Sequence, residues 1–263
     1  MRREVRQQFA AAGVAHVLAV SGFHVAIVCG LLSCLTAFLR RWVWGRWIRY
    51  LLLLSGLWGF AFLTGLSASA VRASLMLTFY LTGKHFMQQI DSYNTLAAAA
   101  FCMLVYRPAF LFDIGFQLSF LAVGFILAWL PLFRRIVIVR NPLVAYPWNS
   151  LLVALAAQLG TAALSLFYFK QASLLFLLTC LPISMIATCL LPVTWVWLCL
   201  PEGGGIALIG QDCIAWLTHA MMDWVERCAM IPYATVQWSC SGIEVIMIYV
   251  LLGLGWMLLN KKS

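Results

Sequence analysis

The segment His16-Val-Leu-Ala-Val-Ser21-Gly22-Phe-His24 sets two imidazoles, a hydroxyl and a glycine in an apolar stretch that continues to Leu39. Ionisable groups at membrane depth are costly, so residues of this kind point to function by default. Two chemistries fit. A hydroxyl beside an imidazole can act as nucleophile and base, which makes Ser21 with His16 or His24 a candidate hydrolytic dyad. The second chemistry is anion binding. In an unbroken helix each residue turns about 100°, which puts His16 and His24 about 80° apart and Ser21 off the His16 face. A break at Ser21-Gly22 makes Ser21 the cap of a half-helix running from about Gly22 to Leu39. The free N–H groups and positive dipole end of that half-helix suit an anion, phosphate above all. His16, Ser21, Gly22 and His24 then line or shape an anion path. The competing reading is a packed helix in which Ser-Gly permits close approach and each histidine binds a carbonyl.

Other polar residues sit in apolar surroundings. Arg72, within Ser69-Ala-Val-Arg72-Ala-Ser74, is either a phosphate contact inside a pore or an arginine snorkelling from the nearby Gly65 turn. Asp113 and Gln117 are four apart and share a helix face. Asp113 reads as structural, either capping its helix or pairing with Arg72; Gln117 stays open. Gln158, Thr161 and Ser165, with Ala154 and Ala157 beside them, form a narrow stripe that is a helix seam or a pore lining. The chain has no GxxxxGK[ST] phosphate loop, no HExxH and no CxxC pair. No metal site, cofactor or catalytic set is therefore expected, and the nine cysteines read as small core residues.

The elements that must hold these residues are transmembrane. The 263 residues are 64% hydrophobic and 10% charged, with a mean hydropathy of +0.97. The polar stretches are too short for a soluble domain. Apolar segments near 14–39, 50–64, 70–82, 95–106, 110–130, 150–169, 172–200 and 243–259 are candidate spans. Pro182 and Pro192 leave 172–200 as one kinked span or two broken ones, and 131–149 reads as a basic loop. Asp212, His219, Asp223 and Glu226 follow one another at steps of 7, 4 and 3, the face of an amphipathic helix over 206–229. The expected fold is an all-α polytopic membrane protein. It has roughly seven to nine transmembrane or re-entrant helices plus one amphipathic helix, in a single domain over 1–263.

The net charge of +9 follows mostly from basic loops. Arg40, Arg41, Arg46 and Arg49 form one cluster and Arg134, Arg135 and Arg140 another. Both fall on the same side of the membrane as Lys84 if the first cluster is cytoplasmic, as the positive-inside rule expects. Arg2, Arg3 and Arg6 break that rule, so either the first segment does not simply cross or the protein begins upstream.

Four segments, in order, resemble the competence domain of the ComEC family, the inner-membrane DNA-uptake channels of transformable bacteria. They are Ala15 to Val25, then Leu63-Thr-Gly65-Leu-Ser67-Ala-Ser-Ala-Val-Arg72-Ala, then Pro108 to Phe120, then Ala157-Gln158-Leu through Tyr168 and Ser173-Leu. Trp224 to Pro232 is similar to the family's late helix. The resemblance implies a multi-pass channel in the bacterial inner membrane, not an enzyme, that passes single-stranded DNA to the cytoplasm. His16, Ser21, Gly22, His24, Arg72, Gln117 and Gln158 would line its path, and exposed aromatic rings could stack bases. The partners implied are the strand, the lipid bilayer, DNA-delivery proteins and a cytoplasmic motor or DNA-binding protein. Family members often add a soluble domain before the channel and a metallo-β-lactamase-like domain after it. This chain is expected to lack both, which leaves a truncated remnant as a further alternative to channel and hydrolase.

Overall fold

In the computed structural model, residues 21–86, 91–136, 141–173, 176–198, 200, 205–230, 235–237 and 240–261 are described. They form nine α-helices: α1 (Gly22–Leu35), α2 (Val43–Leu63), α3 (Ala68–Phe86), α4 (Ser92–Tyr106), α5 (Ile114–Ile136), α6 (Pro142–Phe169), α7 (Phe176–Leu198), α8 (Gly205–Ala229) and α9 (Gly242–Lys261). Short 3-10 helices occupy Ala37–Arg41 and Pro108–Phe112. The helical class matches the sequence pattern, with one addition. Gln171–Ser173 (β1) pairs antiparallel with Thr235–Gln237 (β2), Gln171 opposite Gln237.

Two compact units divide the chain. One contains His16–Leu111 and Ile186–Met221, the other Phe112–Met185 and Met222–Ser263. In the first, α1, α2 and α3 close around Val25, Cys29, Leu57, Ala61, Ala70 and Ala73, with Phe60, Leu77 and Leu81 packed against them. Lipid tails are as apolar as leucine, so packing of small residues holds such helices together better than burial from water does. The α2–α3 link turns at Gly65 (φ +72°) and Leu66 (φ +50°). Glycine takes that left-handed conformation without the steric cost that Leu66 carries.

The second unit rests on the pair α5 and α6 with α9 beside them. Trp129, Leu132 and Ala156 are its centre, and Phe125, Leu159, Leu252 and Trp256 pack around it. A Cβ on Gly160 would stand 2.7 Å from the Cβ of Phe125, so glycine is what lets α6 approach α5 there. Two side chains of α9 tie the group together: Tyr249 donates to the Gly160 carbonyl (2.8 Å) and Trp256 Nε1 to the Ala128 carbonyl (3.0 Å).

Among the described residues, four helical stretches are long and apolar enough to cross a membrane: Ile114–Arg135, Pro147–Phe169, Leu178–Leu198 and Gly242–Asn260. This is an integral membrane architecture, and among the described residues four of the candidate segments are full-length helical spans. Gly22–Leu35 and Ser92–Tyr106 are apolar but short. The α2 helix takes in Arg46 and Arg49, and α3 takes in Arg72 and Lys84.

Other boundaries also move. The loop expected over 131–149 is largely helical, because α5 runs through Pro131 to Ile136 and α6 begins at Pro142. Proline in a first helical turn lacks only an N–H that would have no intrahelical partner. The segment around Pro182 and Pro192 is one helix, α7. The cysteines are free thiols among the described residues, but only Cys29 and Cys228 are buried; Cys34, Cys102, Cys189 and Cys213 are exposed. A thiol is apolar enough to face lipid, so an apolar neighbourhood in sequence did not mean a protein core.

Candidate functional site

The break at Ser21-Gly22 is present. Ser21 is extended (φ −106°, ψ 168°) and α1 begins at the next residue. The Ser21 carbonyl accepts from the backbone N–H groups of His24 (3.1 Å) and Val25 (3.3 Å). The His24 side chain folds back on the cap. The backbone N–H of Ser21 donates to His24 Nδ1 at 3.3 Å, and Ser21 Oγ lies 2.9 Å from the same nitrogen. An N–H can only donate, so Nδ1 is the acceptor and the hydroxyl donates to it as well. The proton of the neutral ring is then on Nε2. Serine with a side chain three residues on, each reaching for the other's terminus, is a capping box with histidine in place of glutamate. His16 lies outside the described residues.

The capped end of α1 packs against the part of α3 that carries Arg72. A Cβ on Gly22 would be 3.3 Å from the Ala73 Cβ, so the two helices touch at the residue after Arg72. Arg72 is buried, 7% exposed. Ser74 is fully buried and its Oγ has no hydrogen-bond partner among the described residues. Buried hydroxyls are normally paired. Neither Ala73 nor Ser74 was singled out from sequence, although the small-residue run Ser67-Ala-Ser69-Ala surrounding Arg72 signals a close helix contact.

The unit therefore contains a capped helix N-terminus, an imidazole, a buried guanidinium and a buried hydroxyl. Residues 21–90 contain Arg40, Arg41, Arg46, Arg49, Arg72 and Lys84 and no Asp or Glu. Among the described residues no group of three or more His, Cys, Asp and Glu is placed to hold a metal ion.

The remaining polar candidates lie in the other unit. Asp113 precedes α5, and its Oδ1 accepts from the Phe116 backbone N–H at 2.7 Å. This contact is a helix cap, one of its two structural readings. Gln117 Oε1 accepts from the Tyr168 hydroxyl at 3.0 Å, a link between α5 and α6. Gln158 is half-buried on α6, and Thr161 next to it donates to its own helix at Ala157 (2.9 Å). Gly160, on a different face of α6 from Gln158, makes the close approach to Phe125.

The competence protein family matches residues 1–262. The chain belongs to that family. ComE operon protein 3 of Bacillus subtilis (strain 168) is 30% identical to it over 225 residues, which is 85% of this chain and 27% of that protein. This competence-family chain thus spans about a quarter of the length of the relative it matches. No solved structure matches it.

Proposed function

We propose that the chain forms the membrane channel of a DNA-uptake system, passing one DNA strand through the bacterial inner membrane into the cytoplasm. The observation that carries this reading is the packing of the Ser21-capped start of α1 against the Arg72 segment of α3, in a stretch of chain with no carboxylate. Phosphates of a strand would meet helix N–H groups and cations at several weak positions, which is what conduction requires. Family membership supports a role in competence. In this reading the short helices α1 and α4 are re-entrant or tilted, completing roughly seven to nine membrane segments. At 14 residues, α1 is about 21 Å long against a hydrocarbon core of about 30 Å. His16, Ser21, Gly22, His24 and Arg72 border the path. Delivery proteins outside and a motor or DNA-binding protein inside would supply strand and driving force.

The test is uptake of labelled DNA in a transformable host carrying Arg72→Ala and, separately, Arg72→Lys. A graded loss, larger for alanine, is expected. Undiminished uptake with normal membrane levels of the alanine variant would remove Arg72 from the path.

The 2.9 Å contact between Ser21 Oγ and His24 Nδ1 favours a second reading, an intramembrane hydrolase. Ser21→Asn separates the two readings. Asparagine keeps the cap but is no nucleophile, so the channel reading expects uptake to persist and the hydrolase reading expects turnover to vanish.

A further inference from the structure

On one flank of the first unit, α2, α3 and the Ala37–Arg41 turn enclose a cavity of about 630 Å³. Its lining is basic and aromatic: Arg40, Arg46, Arg49 and Lys84 supply charge, and Trp47, Tyr50, His85 and Phe86 supply rings. No acidic side chain lines it, and residues 21–90 contain none. Four cations around one cavity repel one another unless an anion from outside the chain is present.

The cavity is built rather than incidental. Tyr50 stacks on His85 (centroids 4.6 Å apart, planes 17° apart), Trp47 meets the His85 ring edge-on at 4.4 Å, and Tyr50 Oη lies 2.9 Å from Thr82 Oγ1. These contacts clamp the start of α2 to the end of α3. Arg49 is held in place, because its Nη2 donates to Ser33 Oγ (2.6 Å) and to the Ser33 carbonyl (3.3 Å). Its buried Nε has no partner among the described residues. Arg40, Arg46 and Lys84 are exposed, Lys84 with its ammonium 5.7 Å from the Tyr80 ring centre.

The surroundings select the kind of anion. Trp42 and Trp44 are 73% and 81% exposed just before and within the first turn of α2. Indoles at such exposure mark the level of lipid headgroups. Trp44, Ile48 and Leu51 put an exposed apolar stripe on the side of α2 opposite the cavity, so this turn of the helix stands at the edge of the bilayer. The rings inside the cavity are engaged with each other, which leaves phosphate rather than a base as the group to be recognised.

We infer that this cavity binds the phosphate headgroup of an anionic phospholipid and so fixes the basic ends of α2 and α3 at the membrane surface. Basic pockets between membrane helices on the cytoplasmic side take such headgroups. The positive-inside orientation puts this one on that side. The site is separate from the strand path proposed above and stands or falls without it.

The experiment is native mass spectrometry of the 263-residue chain extracted in mild detergent and offered phosphatidylglycerol, cardiolipin, phosphatidylcholine, inorganic phosphate or an oligothymidylate. The anionic lipids are expected to stay bound and phosphatidylcholine to leave. An Arg46→Gln/Lys84→Gln double variant should weaken anionic-lipid binding about tenfold or more. Arg46→Lys/Lys84→Arg should restore it, and Arg135→Gln, outside the cavity, should not change it. Both glutamine positions are exposed, so the fold should survive, and an unchanged melting transition checks this. Equal lipid retention by parent and double variant would overturn the site. Displacement of the lipid by the oligothymidylate, or equally tight inorganic phosphate, would overturn the lipid assignment.

Discussion

Both units carry internal polar links, but they distribute their charge differently. In the unit of Phe112–Met185 and Met222–Ser263, polar side chains are largely consumed in internal links: Gln117 with Tyr168, Tyr249 with Gly160, Trp256 with Ala128, Arg134 with Asn149. Three of the four membrane-crossing stretches lie wholly within it. In the unit of His16–Leu111 and Ile186–Met221, six cations fall within 21–90 without one carboxylate, while Arg72 and Ser74 are buried. A structural unit in lipid pairs its polar groups because unpaired ones are expensive. A run of cations in a stretch of chain that contains no acid suits a surface that meets anions. On the proposed reading, scaffolding falls to one unit and ligand contact to the other.

The largest effect expected is at Arg72. Arg72→Ala should lower DNA uptake about tenfold or more, whereas Arg72→Lys, which keeps charge but loses the planar fork, should lower it less. A loss as great from Gln117→Leu at matched protein levels would break the division of labour, because Gln117 belongs to the scaffold.

Next comes Gly160. Replacing it with leucine forces side-chain atoms into Phe125, and overpacking of this kind costs about 1–3 kcal/mol. Detergent-resistant thermal unfolding should report that loss, with uptake falling only as far as folded protein falls. An unshifted transition would show that the α5–α6 seam is looser than its geometry implies.

Ser21 sharpens the comparison from the other unit. Ser21→Ala should cost about 1 kcal/mol of helix stability through the lost cap. Ser21→Asp restores the cap but adds negative charge where phosphate is to pass. Uptake below that of Ser21→Ala, despite a better-capped helix, is the signature of an anion path; uptake equal to the parent would argue for a cap and nothing more.

The smallest effect is expected from Tyr249→Phe. It removes the hydroxyl that binds the Gly160 carbonyl and should destabilise the chain by about 0.5–1.5 kcal/mol, with uptake per folded molecule unchanged.

Much of this was legible in the amino-acid order. Ser21-Gly22 is a local stop and start, and capping needs only residues within one turn, so the beginning of α1 could be read directly. Its end could not: the apolar run continues to Leu39, but the helix stops at Leu35 and a 3-10 turn follows. Apolarity does not distinguish helix from turn. The starts of α2 and α6 were placed too late for the converse reason. Arginines and prolines look like loop, yet Arg46 and Arg49 extend a helix well and Pro142 fits a first turn. The β1–β2 pair was invisible, since three residues are too few for any period to show.

Hydropathy, the basic clusters and the four ordered motifs by themselves determined a helical membrane protein of the competence family and the residues worth testing, because composition and short-range spacing are properties of the chain alone. Tertiary structure decided which of those residues meet. It set Gly22 against Ala73 beside Arg72, turned Gln117 toward Tyr168, and gathered Arg40, Arg46, Arg49 and Lys84 around one cavity. Such meetings depend on how close two helices can come, and that is settled by the side chains of both helices at the crossing, not by either sequence segment read alone.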